Sequence, residues 1–247
     1  MRAEPDVQLR LLDLQAVDAR LDKIAYQRRT LPQHQQVAEL ERRAGGLRDR
    51  IVAGQAETSD LRRAQTKADL DVEQVRARAS RDQGLLDSGR ITASKELESL
   101  QHELASLARR QGELEDIELE IMEKLEAATA SLGSLTRELA GLDSELATVT
   151  ATRDDQLADL DGDGALASGE RERLRVGLPA DLLGLYEKLR VDHNGVGAAA
   201  LRQRRCEGCR IELTPVDIAR IREAAPDEVL RCEECRRLLV RTPESGL

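Results

Sequence analysis

Cys206-Glu-Gly-Cys209 and Cys232-Glu-Glu-Cys235 are the residues of this chain whose types and spacing point most directly to chemistry. Two residues between thiolates let one tight turn aim both sulfurs at a single ion, and a second such turn completes a tetrahedron. The 22 residues between the pairs slightly exceed the usual window, which a ribbon accommodates by lengthening its connection. Zn2+ is the expected ion. Four protein ligands leave no coordination position for water, so the zinc should be structural rather than catalytic. Iron in a rubredoxin-like site is the chemical rival, but such cores lean on aromatics, and this chain has no Phe or Trp and two Tyr. A redox dithiol would use one pair on a thioredoxin-like scaffold, of which the sequence gives no sign. All four cysteines fall in the last 42 residues as two close pairs, which fits metal binding in a reducing cytoplasm better than a disulfide framework. For a module this small the metal decides folding, because structural zinc contributes roughly 10–16 kcal/mol in small peptides.

A second cluster lies upstream. Asp159 to Glu170 reads DLDGDGALASGE and fits a calcium loop, with Asp159, Asp161 and Asp163 at positions 1, 3 and 5, Gly164 at 6 and Glu170 at 12. The competing reading is the acidic, glycine-broken end of a coiled-coil helix. An EF-hand normally comes paired, and only about seven residues separate this segment from Gly177 and Pro179; both facts weigh towards the helix end, with calcium on Asp159, Asp161, Asp163 and Glu170 the alternative.

No phosphate loop, nucleophile elbow or His-carboxylate cluster appears, and the three histidines are scattered. An enzyme is therefore not expected. The net charge of −9 disfavours nucleic acid and anionic membrane, except locally. The tail is the local exception: residues 201–247 carry ten Arg against nine acids. Nucleic-acid contact could use Arg204, Arg205, Arg210, Arg236 and Arg237, but the interleaved acids nearly cancel the field and no aromatic platform exists for stacking bases. A protein partner is the leading expectation, and RNA or DNA the alternative. The amino terminus has no apolar core for a signal peptide and no run of about 18 apolar residues exists, so a cytoplasmic chain without membrane contact is expected.

The elements that must carry these residues are mostly helical. From Leu97 to Leu160, alternate steps of three and four pass through nineteen positions, fifteen of them apolar; the exceptions are Gln111, Glu118, Arg153 and Gln156. A 3.5-residue period held this long is a coiled-coil seam, and 64 residues of it span roughly 95 Å at about 1.5 Å per residue. A weaker stripe runs from Leu14 to Leu31 and resumes from Leu40 to Leu86, with ten apolar residues in the fourteen positions of its second part. It predicts one long helix from about Val7 to about Asp82, kinked near Pro32 and weakened at Gly45-Gly46. Residues 84–94, GLLDSGRITAS, carry the Gly and Asp-Ser-Gly that end one helix and a Thr92 or Ser94 that caps the next. An antiparallel hairpin follows, with an unbroken parallel homodimer as the alternative and the oligomeric state open.

The expected architecture is mainly α: a long antiparallel coiled-coil helical hairpin (1–176, tip near 84–94), a connecting helix (177–195) opened by Pro179, and a small C-terminal zinc ribbon (196–247) with a few short strands and one short helix. Within the ribbon, Gly197–Leu201, Ile211–Leu213 and Leu238–Val240 read as strands. Thr214-Pro215-Val216-Asp217 caps a helix that stops at Pro226.

The tail RCEGCRIELTPVDIARIREAAPDEVLRCEECRRLLVRTPESGL, with PADLLGLYEKLR before it and ITASKELESLQHEL after the hairpin tip, resembles a bacterial family of coiled-coil hairpins that end in a C4-type zinc ribbon. The resemblance covers essentially the whole chain and implies zinc on Cys206, Cys209, Cys232 and Cys235. Chlamydial and Helicobacter members are partners of the alternative sigma factor RpoN, and the latter also a flagellin-messenger-binding chaperone, which implies a non-enzymatic adaptor or chaperone. The family usually has Gly directly after the second Cys of each pair, where the turn favours positive φ. Arg210 and Arg236 stand there in this chain, at a cost of roughly 1 kcal/mol each.

Overall fold

Pro32 does more than kink the first helical stretch. In a computed structural model that describes residues 1–247, it divides that stretch into α1 (Pro5–Arg29) and α2 (Pro32–Asp87). Proline lacks the N–H that would continue α1 and pushes the preceding residue out of helical geometry, so Leu31 is left between the helices. Thr30 closes α1 with its hydroxyl on the Tyr26 carbonyl at 2.9 Å. The Gly45-Gly46 pair leaves no mark, and α2 runs through it. After the turn at 88–93 comes α3 (Ser94–Val176), whose first N–H groups bond to the Ala93 carbonyl. Two compact units result, one of residues 35–150 and one of residues 1–34 with 151–247.

In the 35–150 unit, α2 and α3 run antiparallel. Arg48 pairs with Asp143 at 2.9 Å and Arg76 with Glu115 at 2.6 Å, so contacts descend one helix as they climb the other. Leu40, Leu47, Leu135 and Leu142 form the buried leucine cluster at one end. Every stripe position named for α2, and every seam position of α3, is buried or half-buried, while most residues between them are exposed. The pairing is what a 3.5-residue period requires, since a stripe this narrow is covered by one partner helix.

One seam position works against the pairing at neutral pH. Glu118 meets Asp69 across the helices; a hydrogen bond between the two carboxyls, then partial burial, pushes the Glu118 carboxyl above its ordinary value, with Arg76 opposing and Glu115 adding to the shift. A raised folded value means that stabilisation is present while Glu118 is protonated and is lost as pH rises through that value. Glu118→Gln keeps a donor towards Asp69 at every pH. Its urea midpoint should exceed that of the parent chain at pH 7, and the gap should close towards pH 4.5. A gap that is constant with pH would exclude the shared proton.

In the other unit, α1 packs antiparallel on the last turns of α3. The stripe of α3 continues beyond Leu160 as Gly164, Ala167 and Arg171. Ala167 is fully buried, and a Cβ on Gly164 would stand 3.8 Å from Ile24 of α1. The DLDGDGALASGE segment is therefore helical throughout, and the calcium loop is not formed. Asp161 pairs with Arg28 at 3.1 Å, Glu170 pairs with Arg20, and Asp159 and Asp163 are exposed. Of the glycines that suggested a loop, Gly164 serves as a small residue under Ile24, and packing against α1 overrides the segment's low helix propensity.

Then comes α4 (Ala180–Asp192), with Pro179 at its N-cap rather than inside it. Leu182, Tyr186 and Leu189 join Leu11 and Leu14 of α1 in a core that also includes Ala198 and Leu238 of the terminal sheet. That sheet has the order β2-β1-β4-β3, from β1 (Ala198–Arg202), β2 (Arg205–Cys206), β3 (Leu230–Arg231) and β4 (Leu238–Arg241). β1 and β4 are parallel, and each is flanked by an antiparallel hairpin partner. The strand expected at Ile211–Leu213 reduces to one bridge between Glu212 and Arg205. Between the hairpins lies α5 (Pro215–Glu223), capped by the Thr214 hydroxyl on the Asp217 N–H. The first residues of the chain close the unit: Arg2 bridges to Glu228, the Ala3 N–H reaches the Asp227 carbonyl at 2.7 Å, and Gln8 donates to the Ala3 carbonyl at 2.8 Å.

A candidate four-cysteine metal centre

The two Cys-x-x-Cys turns are built alike. In the first, the Cys206 N–H bonds to the Ile211 carbonyl at 3.1 Å and the Arg210 N–H returns to the Cys206 carbonyl at 2.7 Å. In the second, the Cys232 N–H bonds to the Arg237 carbonyl at 3.0 Å and the Arg236 N–H to the Cys232 carbonyl at 2.8 Å. Each turn needs a left-handed residue after its second cysteine, and Arg210 (φ 62°) and Arg236 (φ 60°) occupy those positions. The departure from glycine noted in the sequence is thus a real strain, accepted at both knuckles.

These turns bring four sulfurs together. Cys206 and Cys235 Sγ are 3.9 Å apart, as are Cys209 and Cys232, and all four lie within 4.8 Å of one another. Sulfurs bound at about 2.3 Å to one tetrahedral zinc stand about 3.8 Å apart, so the spacing fits zinc without rearrangement, and it is far too long for a disulfide. Cys206 and Cys232 are fully buried, whereas Cys209 and Cys235 are half-exposed. Burial pushes the Cys206 thiol up strongly, and mainly burial pushes that of Cys232 up to about 11. At Cys235 burial pulls the same way, but hydrogen bonds from the backbone N–H and guanidinium of Arg237 overcome it and hold the thiol below its ordinary value. Four such sulfurs can be thiolates together only if a cation balances them, and the donor set suits zinc.

The arginines proposed for nucleic acid do not form one free surface. Arg205 and Arg210 are exposed, Arg204 donates to the Gly246 carbonyl at 3.1 Å, and Arg236 pairs with Glu233 at 3.2 Å. Arg237 turns inward to the carbonyls of Val196 and His193. Arg241 also turns inward and caps α5, donating to the Ala224 and Ala225 carbonyls at 2.9 and 2.6 Å.

A second polar centre was missed in the sequence. Asp18 is fully buried between α1, α3 and α4; it accepts from Arg171 Nε at 2.5 Å and from the Tyr186 hydroxyl at 2.6 Å, with Arg190 at 3.6 Å. Arg171 also pairs with Glu187, and Arg190 with Asp22 at 2.6 Å. Burial, reinforced by Asp18, drives the Tyr186 hydroxyl well above its usual range, and the hydrogen bond to Asp18 fixes Arg171 in its charged form. The available signal was an Asp beside the α1 stripe, facing an Arg in phase with the α3 seam. Tyr186 reads from sequence as one more apolar residue.

No helix is long and apolar enough to cross a membrane. Residues 14–194 match the model of the CT398-like coiled coil hairpin domain, and residues 205–239 that of the C4-type zinc ribbon domain, a span that holds all four cysteines. An uncharacterized Mycobacterium tuberculosis protein is 38% identical over 241 residues, which is 98% of each chain. A solved Mycobacterium smegmatis structure is similar with a TM-score of 0.84 and 36% identity, over 98% of this chain and 100% of that one. CT398 of Chlamydia trachomatis shares the fold at 17% identity, with a TM-score of 0.69 over 96% and 98% of the two chains. With the hairpin domain matched over most of its length and a zinc ribbon carrying structural zinc after it, the chain belongs to the CT398-like coiled-coil hairpin family.

Proposed function

We propose that the protein is a non-enzymatic adaptor: residues 1–176 form an arm, residues 177–195 a connector, and residues 196–247 a zinc-built head that docks another protein. Cys206, Cys209, Cys232 and Cys235 are its four ligands. One observation carries the reading. The four sulfurs stand at tetrahedral spacing, two of them fully buried, so the protein itself fills every coordination position and the ion serves architecture. Two paired helices whose stripes cover one another add a rigid support rather than a reaction site.

A transcription-related partner is what the family resemblance suggests, in a cytoplasmic setting. Direct nucleic-acid binding is the weaker reading, because Arg237 and Arg241 are spent on internal carbonyls and Arg202, Arg220 and Arg236 on acids.

The test is capture from a cytosolic extract of the source cells with zinc-loaded protein and with a version whose 88–93 turn is replaced. A stoichiometric protein retained by the first and lost with the second supports the adaptor. Retention of RNA or duplex DNA with a steep salt dependence, abolished by Arg204→Ala with Arg205→Ala, would replace it with the nucleic-acid reading.

A further inference from the structure

Arg237 stands at the junction of three things. Its Nε donates to the Val196 carbonyl at 2.9 Å and its Nη2 to the His193 carbonyl at 3.3 Å, both in the turn that joins α4 to β1. Its Cδ runs beneath the first knuckle, so closely that a Cβ on Gly208 would approach it to 2.8 Å. Its carbonyl accepts the Cys232 N–H at 3.0 Å, which closes the second knuckle. One residue therefore touches the Cys206–Cys209 turn, closes the Cys232–Cys235 turn, and anchors both to the α4–β1 turn. A planar fork can serve two carbonyls at once, which a lysine ammonium on a flexible stem cannot do in the same geometry.

From this juxtaposition we infer that Arg237 is a positioning residue for the metal, which clamps the two knuckles together and fastens them to the 193–196 turn so that zinc leaves slowly. The inference rests on the four cysteines being the ligands. Groups outside the ligand set that hold the ligands in place orient them, and their loss typically weakens metal binding by about 10–100-fold. Gly208 belongs to the same device: nothing larger leaves room for the arginine stem, since Ala199 Cβ would also stand 3.0 Å from an added Cβ.

The experiment uses the full chain. Zinc content is measured first by elemental analysis, then the rate of zinc transfer to a chromophoric chelator in excess. The cobalt(II)-substituted protein supplies a spectroscopic readout through its sulfur-to-cobalt charge-transfer band. Arg237→Gln should release zinc about tenfold faster or more, and its band should move as the two knuckles shift against one another. Arg237→Lys should fall between. Gly208→Ala, which keeps Arg237 and every cysteine, should reproduce the faster release by displacing the stem, and it decides the matter if Arg237→Gln does not fold. A release rate within twofold of the parent and an unmoved band overturn the inference while leaving the ligand assignment standing. A parent protein without zinc sinks the ligand assignment, and the clamp with it.

Discussion

Cys206→Ser is expected to abolish stoichiometric zinc binding and to unfold the ribbon, while residues 35–150 stay helical. Cys206 is fully buried, and its sulfur faces that of Cys235 at 3.9 Å, so serine removes a soft ligand from the inside of the site. Apart from the packing of Ala198 and Leu238 on α1 and α4 and the bonds of the first residues to Asp227 and Glu228, little else holds the ribbon. Its own core is small, built on Leu201, Leu213, Ile218, Ile221 and Leu239 around the cysteines, and two of its turns are strained at Arg210 and Arg236. Structural zinc contributes roughly 10–16 kcal/mol in modules of this size, as much as the roughly 7–15 kcal/mol that five buried aliphatic side chains supply before the entropy of ordering the chain is subtracted. Amide exchange at β1 and β4 should become fast in Cys206→Ser or after chelation, while α2 and α3 keep their protection through the Leu40–Leu142 core. Acid should act as the chelator does: thiols pushed up by burial hold protons that zinc must displace, so zinc retention falls as pH falls. One equivalent of zinc in Cys206→Ser, or slow exchange in the metal-free ribbon, would refute the assignment.

Asp18→Ala should be the most damaging substitution away from the metal, at about 3–5 kcal/mol, the usual cost of removing one partner of a buried ion pair. The loss leaves Arg171 Nε and the Tyr186 hydroxyl without the acceptor that now satisfies both within 2.6 Å, while Arg171 keeps its pairing with Glu187. Tyr186→Phe removes one neutral donor and should cost only about 1 kcal/mol. The two changes together should cost clearly less than their sum, because the hydroxyl has nothing to lose once Asp18 is gone. Urea unfolding of the four proteins measures this. A loss below about 1 kcal/mol for Asp18→Ala would show that Arg171 escapes to water and that the node contributes little.

What could be read from the sequence follows a physical division. The seam was legible because a coiled coil repeats one local rule, and every position named from Leu97 to Leu160 is at least half-buried. The sulfur cluster was legible because one short turn fixes each pair, although the meeting of the two pairs depends on the sheet in which β1 lies beside β4. Strain at Arg210 and Arg236 could be foreseen for the same reason. Reading failed where a distant partner decides. The acidic segment has a calcium loop's ligands in order, yet Ile24 packing on Gly164, with Ala167 buried two residues before the chain's own Gly169, keeps it helical. Arg237 and Arg241 look like surface charge until the carbonyls they reach are known. Asp18 gave only the faint signal of its place beside the stripe, because its partners lie about 150–170 residues further along.

The bridge between Arg2 and Glu228 also imposes a timetable on synthesis. At about 5–20 residues per second, roughly 10–45 s separate the emergence of the first residues from that of their partners. For most of that interval α1 has neither the end of α3 nor α4 to cover Leu11 and Leu14. The 35–150 unit can assemble meanwhile from contacts within itself. A nascent chain arrested once residue 150 has emerged, but before the end of α3 and α4 have, should therefore hold its middle folded and its beginning open, which makes the amino-terminal helix the segment in need of protection at the ribosome.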